Sequence, residues 1–228
     1  VDVGLDVNNF LALNTTEENN NLYYGKAFVT GLIDISAYDN QLGMDVAVKT
    51  EKYTTLNIPL ADGEELEENN FIEFISQDST NIFVDKEVDL SNIEMNFDLE
   101  ITPEAEIRLI FDDQIGDVMR SRGSGNLNLK ITKDGDLNMI GKYVVKDGDY
   151  LFTLQNVINK RFDLEEGGTI SWSGSAYDAE VDLTAVYRTR ARLYDLLANI
   201  DTSDIYKKRV PVDLKLKMKN KMMNPDIS

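Results

Sequence analysis

The side chains with which this chain could do chemistry are carboxylates, hydroxyls and amines, since its 228 residues include no histidine and no cysteine. A Ser-His-Asp or Cys-His arrangement is therefore impossible. The serine alternatives lack their local signatures, because neither S-x-x-K nor G-x-S-x-G occurs. Gly123-Ser124-Gly125 runs into Asn126-Leu127 without a G-K-[ST] triplet, so it reads as a turn entering a strand and not as a phosphate cradle. Two carboxylates suffice for glycoside hydrolysis, and Asp112, Asp113 and Asp178 are the candidates. In so acidic a chain, however, the presence of carboxylates selects nothing. Asp134-Gly135-Asp136 and Asp147-Gly148-Asp149 carry oxygens that calcium could accept. They match neither the EF-hand loop nor the nonapeptide repeat, and both read as Asp-Gly hairpin turns between alternating runs. The expectation is a protein with no catalytic residues, no metal and no cofactor.

The formal charge is −18, with a pI near 4.3. Such a surface repels nucleic acid and anionic bilayers unless its cations are segregated. Some are: from Arg188 to Ser228 there are ten Lys/Arg against five Asp/Glu, a net of +5, which leaves −23 on the preceding residues. Within that segment Lys215, Lys217 and Lys219 alternate with Leu214, Leu216 and Met218 and so share one strand face. No aromatic residue accompanies them, which sets nucleic acid aside. They read as lysines that protect a sheet edge, with a contact for an acidic partner or for lipid headgroups as the sharper alternative.

The elements that must carry these residues are strands. Period-two alternation dominates: Ala27-Val29 leading to Ile33-Ile35, Met44-Val46-Val48, Ile93 to Ile101, Ile107-Leu109-Phe111, Leu127-Leu129-Ile131, Leu137-Met139 with Tyr143-Val145, Tyr150-Phe152-Leu154, Ile170-Trp172, Val181 to Tyr187, and Val210 to Met218. That makes about ten strands. Residues 15–21, 61–70 and 112–124 read as loops, and Glu166-Gly167-Gly168 as a further tight turn. One helix is expected at 191–200, where Leu193, Leu196, Leu197 and Ile200 follow helical spacing. Phe71 to Ile75 fits a short helix or a strand. No apolar run approaches the roughly 20 residues of a membrane-spanning helix. Val1, Val3, Leu5 and Val7 already alternate, so the chain reads as a piece of something longer.

These elements pose an accounting problem. About ten strands each have an apolar face, and one short helix cannot cover them. The sheet must pack as a β-sandwich, the architecture preferred from pattern alone, or close as a barrel, or curl into a trough with a ligand inside.

Ile115-Gly116-Asp117 through Gly123-Ser124-Gly125-Asn126-Leu127, then Ile140-Gly141-Lys142-Tyr143 and Gly148-Asp149-Tyr150-Leu151-Phe152, carry a family pattern. So do Phe162, Glu166-Gly167-Gly168-Thr169-Ile170-Ser171-Trp172-Ser173-Gly174, and Tyr177-Asp178-Ala179 leading to Tyr187. In this order and spacing they resemble the C-terminal domain of TamB-type translocation and assembly module proteins, an AsmA-like branch of the bridge-like lipid transport superfamily. Tyr24-Gly25-Lys26-Ala27 with Thr30-Gly31 resembles the family's entry to the domain. The resemblance covers roughly 23–227, with residues 1–22 as extra strands ahead of it in a single β-rich domain.

The resemblance implies a curled all-β sheet, the β-taco, an open groove of antiparallel strands with an apolar interior. It implies a periplasmic module of the Gram-negative envelope, inner-membrane anchored in the full-length protein. The expected partners are phospholipid or another acyl-chain ligand and a TamA-type outer-membrane barrel; the expected roles are lipid transport to the outer membrane and protein assembly there. The expected groove residues are Leu127, Leu129, Ile131, Met139, Tyr143, Val145, Tyr150, Phe152, Leu154, Ile170, Trp172, Val181, Leu183 and Ala185, each also what a core residue would look like. Two other functions stay open: a module whose exposed edge templates another protein's strand, and a ligand-free structural sandwich.

Overall fold

The computed structural model describes residues 2–19, 23–38, 41–59, 93–112, 116–132, 137–154, 158–175, 178–192, 208–222 and 225–228. They form thirteen strands and, among the described residues, no helix. In chain order these are β1 (Asp2–Thr15), β2 (Tyr24–Tyr38), β3 (Gln41–Thr50), β4 (Thr55–Pro59), β5 (Ile93–Ile101), β6 (Glu106–Asp112), β7 (Asp117–Ile131), β8 (Leu137–Leu154), β9 (Ile158–Leu164), β10 (Thr169–Ser175), β11 (Glu180–Ala191), β12 (Val210–Lys221) and β13 (Asp226–Ile227). All thirteen belong to one curled sheet that does not close as a barrel.

Several short strands are halves of longer tracks. β3 and β4 lie end to end against β2, β5 and β6 lie end to end against β7, and β9 and β10 fill one track between β8 and β11. Most pairings are antiparallel, but β3 with β5 and β4 with β6 are parallel. The two parallel ladders keep one register: Leu42 faces Ile93 and Pro59 faces Ile110, each pair 51 residues apart.

The breaks line up. Residues 51–54 separate β3 from β4, 102–105 separate β5 from β6, and 165–168 separate β9 from β10. At the same level β7 and β8 shift register between Arg122 and Gly123, where Lys146 is the extra residue. Bulges and corners bend strands, so a crease crosses the sheet from track to track. Its backbone groups are paired, as buried polar groups must be. Thr54 Oγ1 accepts from Phe28 N at 3.0 Å and donates to Phe28 O at 3.1 Å. Thr102 donates from its backbone N and from its hydroxyl to Thr50, both at 2.9 Å. Val145 exchanges two 2.8 Å bonds with Gly167 and Gly168.

Alternation gives the sheet one apolar and one polar face. Apolar side chains next to the crease are the most buried, with Met119, Val145 and Leu183 at 2%, 1% and 2% exposure. Eighteen buried residues, these three among them, form one contiguous cluster, so the apolar face is the inside of the curl. The other face carries polar ladders, such as Asn96 donating to Asp45 at 2.8 Å and Asn128 to Asp98 at 2.6 Å.

The structure corrects several expectations from sequence. Asp147-Gly148-Asp149 is no hairpin turn: it lies inside the 18-residue strand β8, and the irregularity there only flips the alternation from Val145 to Tyr150. The turn 133–136 lies outside the described residues. Of the expected loop 112–124, Asp112 ends β6 and residues 117–124 belong to β7; the Gly and Ser residues there are strand residues opposite large neighbours. Glu166-Gly167-Gly168 is a turn, but the chain continues along the same track instead of reversing. The sheet is mixed and not purely antiparallel. Ala191 ends β11, and the rest of the expected helix, 193–200, lies outside the described residues, as do 61–70 and 71–75.

Candidate functional site: the apolar inner face

Register places the inner-face side chains in rows that cross the strands. One row runs Leu5, Ile33, Val46, Phe97, Leu129, Met139 over six strands, five interstrand spacings or about 24 Å. The next runs Val7, Gly31, Val48, Leu99, Leu127, Gly141, Trp172. Glycine in such a row makes room for a large neighbour. Gly141 has φ +146°, and a Cβ there would stand 2.2 Å from Asn126 O, so the row is filled from Leu127 and Trp172.

On most tracks the most buried side chains lie next to the crease, while Met95, 3% exposed between Met44 and Ile131, is buried nearer one strand end. We call the rim at Tyr38, Ile93, Ile131 and Ser175 the upper rim, and the rim at Pro59, Asp112, Leu154 and Ala191 the lower rim. The floor along the crease is a packed core that includes Leu127, Tyr143, Val145, Tyr150, Ile170, Val181, Leu183 and Ala185. The walls above it are half-buried: Ile33, Ile35, Met44, Val46, Phe97, Leu129, Ile131, Met139 and Trp172 towards the upper rim, and Leu56, Ile58, Phe111, Phe152 and Tyr187 towards the lower. On β1 the face is open, with Val3, Leu5 and Phe10 at 45%, 44% and 51% exposure.

The expected groove residues thus share one face but split in two. Eight belong to the packed floor. Leu129, Ile131, Met139, Phe152 and Trp172 stand in the walls, where a ligand could reach them. Leu154 pairs with Ile158 at the end of β8, and its side chain lies outside the described part. The sequence reading did not place Ile33, Ile35, Met44, Val46 or Phe97 in the site, although their alternation was visible. What it lacked was the knowledge that β3 and β5 are neighbours.

The two walls differ. The lower one holds a row of rings: Phe111 and Tyr150 lie 5.6 Å apart, Tyr150 and Phe152 5.9 Å, Phe152 and Phe162 6.3 Å, Phe162 and Tyr187 5.6 Å. Edge and tilted contacts of this kind add to the area they bury. Two tyrosines are buried on this face. Tyr143 shares a 3.2 Å hydrogen bond with Ser121, and burial pushes its hydroxyl up to about 12 against the lowering effect of that bond. Burial, with the Asp117 carboxylate alongside, raises the Tyr150 hydroxyl further still. Among the described side chains the charges on the inner face are Asp117 and Lys160, both at the lower rim.

The remaining candidates do not converge. Asp112 closes β6 at the lower rim, Asp113 lies outside the described residues, and Asp178 is exposed in a turn after β10, at the upper rim. No group of three or more metal-ligating side chains occurs among the described residues. A shallow depression of about 610 Å³ is lined by side chains of the polar outer face, among them Lys49, Asp98, Asn128 and Ile140. Lys215, Lys217 and Lys219 also stand on the outer face. Lys215 pairs with Glu165 at 2.8 Å and Lys219 with Asp182 at 3.6 Å, so they cross-link tracks within the face, and the short β13 covers the edge of β12 beside Lys219.

The model of one protein family, the TamB C-terminal domain, matches residues 1–228. The chain belongs to the TamB C-terminal domain family. The match includes residues 1–22, which the motif resemblance had left out. TamB-type domains are non-enzymatic modules of the translocation and assembly machinery of the Gram-negative cell envelope, acting with TamA-type partners. No curated protein matched the chain.

Proposed function

We propose that the inner face of this TamB-type domain holds acyl chains, and that the domain takes part in phospholipid transport to, and protein assembly at, the outer membrane from the periplasm. The observation that carries this reading is the half-covered apolar wall: Phe97, Leu129, Met139 and Trp172 on one side of the packed floor, Phe111 and Phe152 on the other. Apolar side chains with no described charge among them suit a ligand that offers no directional chemistry. The floor positions shape the groove from beneath. Native mass spectrometry of the chain purified from envelope, followed by lipid extraction, tests the reading. Bound phospholipid that crosslinks from photoreactive residues at Phe97 and Leu129 supports it. A ligand-free chain that a photoactivatable phospholipid fails to label refutes it.

A second reading rests on a different observation. The outer edge of β1 has no strand partner among the described residues, and its apolar side chains are exposed. An extended segment of another protein could add to it as a strand. Crosslinking from Val3 and Leu5 to an outer-membrane barrel protein, with none from the walls, would favour it over the lipid reading.

A further inference from the structure

We propose that the lower rim of β9, β11 and β12 docks on an anionic lipid surface. This inference concerns the outside of the domain and stands whether or not the groove holds acyl chains.

The chain is strongly acidic, yet Lys160, Arg190, Arg192, Lys208 and Arg209 gather where β9 begins, β11 ends and β12 begins. All five are exposed. Among the described residues none of them has a carboxylate partner, whereas Arg161 and Arg188 beside them do, with Asp149 at 3.5 Å and Asp163 at 2.8 Å. The outer-face lysines are handled differently, since Lys215 and Lys219 are neutralised within the sheet. Other exposed lysines without a carboxylate partner, such as Lys26, Lys142 and Lys146, stand singly on β2 and β8; the rim is where five such cations come from three neighbouring strands. Arg190 is held there by its own hydrogen bond to Arg209 O at 3.1 Å, opposite Pro211.

Aromatic rings stand at the same place. Lys160 Nζ lies 5.7 Å from the ring centre of Tyr187, and Phe152 is the strand partner of Lys160. Both rings are half-buried. Cations flanking amphipathic rings are the composition that settles at the boundary between headgroups and acyl chains. Charge complementarity selects the occupant, because an acidic surface elsewhere on the domain orients it by repulsion while the rim is attracted. β4, after which the acidic stretch 60–92 begins, lies far from β11 and β12 in the order of the sheet.

Flotation of the whole chain with vesicles tests this, using phosphatidylcholine alone and phosphatidylcholine mixed with phosphatidylglycerol. The triple variant Arg192→Gln, Lys208→Gln, Arg209→Gln is compared with Lys215→Gln, Lys217→Gln, Lys219→Gln, which removes the same charge from the outer face. Expected is flotation with the anionic vesicles only, weakened by salt, lost roughly tenfold or more in the rim variant and nearly unchanged in the other. Circular dichroism checks that both variants fold, since all six side chains are exposed. No flotation with anionic vesicles, equal flotation with neutral ones, or equal loss in both variants would overturn the proposal.

Discussion

Placing one aspartate on the floor and another on the wall separates an open groove from a closed core. Leu183 is 2% exposed and stands on the floor opposite Met218. In Leu183→Asp the lost burial costs about 2–3 kcal/mol. The new carboxyl must also stay neutral; holding its proton at pH 7, about three units above its unfolded pKa of about 3.9, costs about 4 kcal/mol. The sum is comparable to the whole stability of a domain, about 5–15 kcal/mol, so the variant should be largely unfolded at pH 7. Part of its stability should return as the pH falls towards 4, where the unfolded state also holds the proton and the penalty vanishes. Leu129 stands in the wall between Phe97 and Met139, half-buried. There Leu129→Asp forfeits about 1 kcal/mol of burial and leaves its carboxylate in reach of water. Urea unfolding followed by circular dichroism gives both values, and phospholipid binding is measured on the folded Leu129→Asp protein, where it should be lost. If Leu129→Asp destabilises as much as Leu183→Asp, the wall is part of a closed core and the groove does not exist. If Leu183→Asp costs only about 1 kcal/mol, the floor is not packed.

Three more expectations follow from the crease and the rows. Thr54→Val removes the hydroxyl that serves both Phe28 N and Phe28 O; Phe28 O keeps its 2.8 Å bond from Glu51 N, so the one backbone N–H left unpaired should cost about 1–3 kcal/mol, seen as a lower urea midpoint at unchanged slope, with Thr54→Ser close to wild type. Gly141→Ala should destabilise by about 1–3 kcal/mol, because its Cβ would collide with Asn126 O at a backbone angle that side chains avoid; thermal unfolding measures it. The Tyr143 hydroxyl is raised to about 12, so between pH 10 and that value the unfolded chain ionises at this position while the folded one does not, which favours unfolding as the pH rises. Its contribution is complete below pH 10 and decays from there to about pH 12, at up to about 1.4 kcal/mol per pH unit, so urea stability should fall over that window and fall less in Tyr143→Phe.

The strands were legible because alternation is local: Ile93 to Ile101 or Val181 to Tyr187 can be read without knowing their neighbours. The inner face followed from the same pattern, and every expected groove residue with a described side chain lies on it. Depth on that face was not legible. Leu127 and Leu129 look alike in sequence, yet one is floor and the other wall, because depth depends on distance from a crease that long-range register creates. Asp147-Gly148 shows the opposite failure, since a dipeptide that favours a turn was overridden by pairing along both sides of β8. The parallel pairing of β3 with β5 leaves no mark on either strand alone.

That pairing has an evolutionary consequence. Residues 42–59 and 93–110 are two copies of one shape, strand, corner and strand, held in a single register 51 residues apart. Leu42, Met44, Val46, Val48, Leu56 and Ile58 of the first copy answer to Ile93, Met95, Phe97, Leu99, Ile107 and Leu109 of the second. Because both copies bend at the same level, duplicating such a unit would add one track, about 4.8 Å of width, without moving the bend or the apolar face of its neighbours. A gene that repeats this segment lengthens its product in whole steps, and a deletion of one unit shortens it by the same step while the remaining tracks keep their alignment.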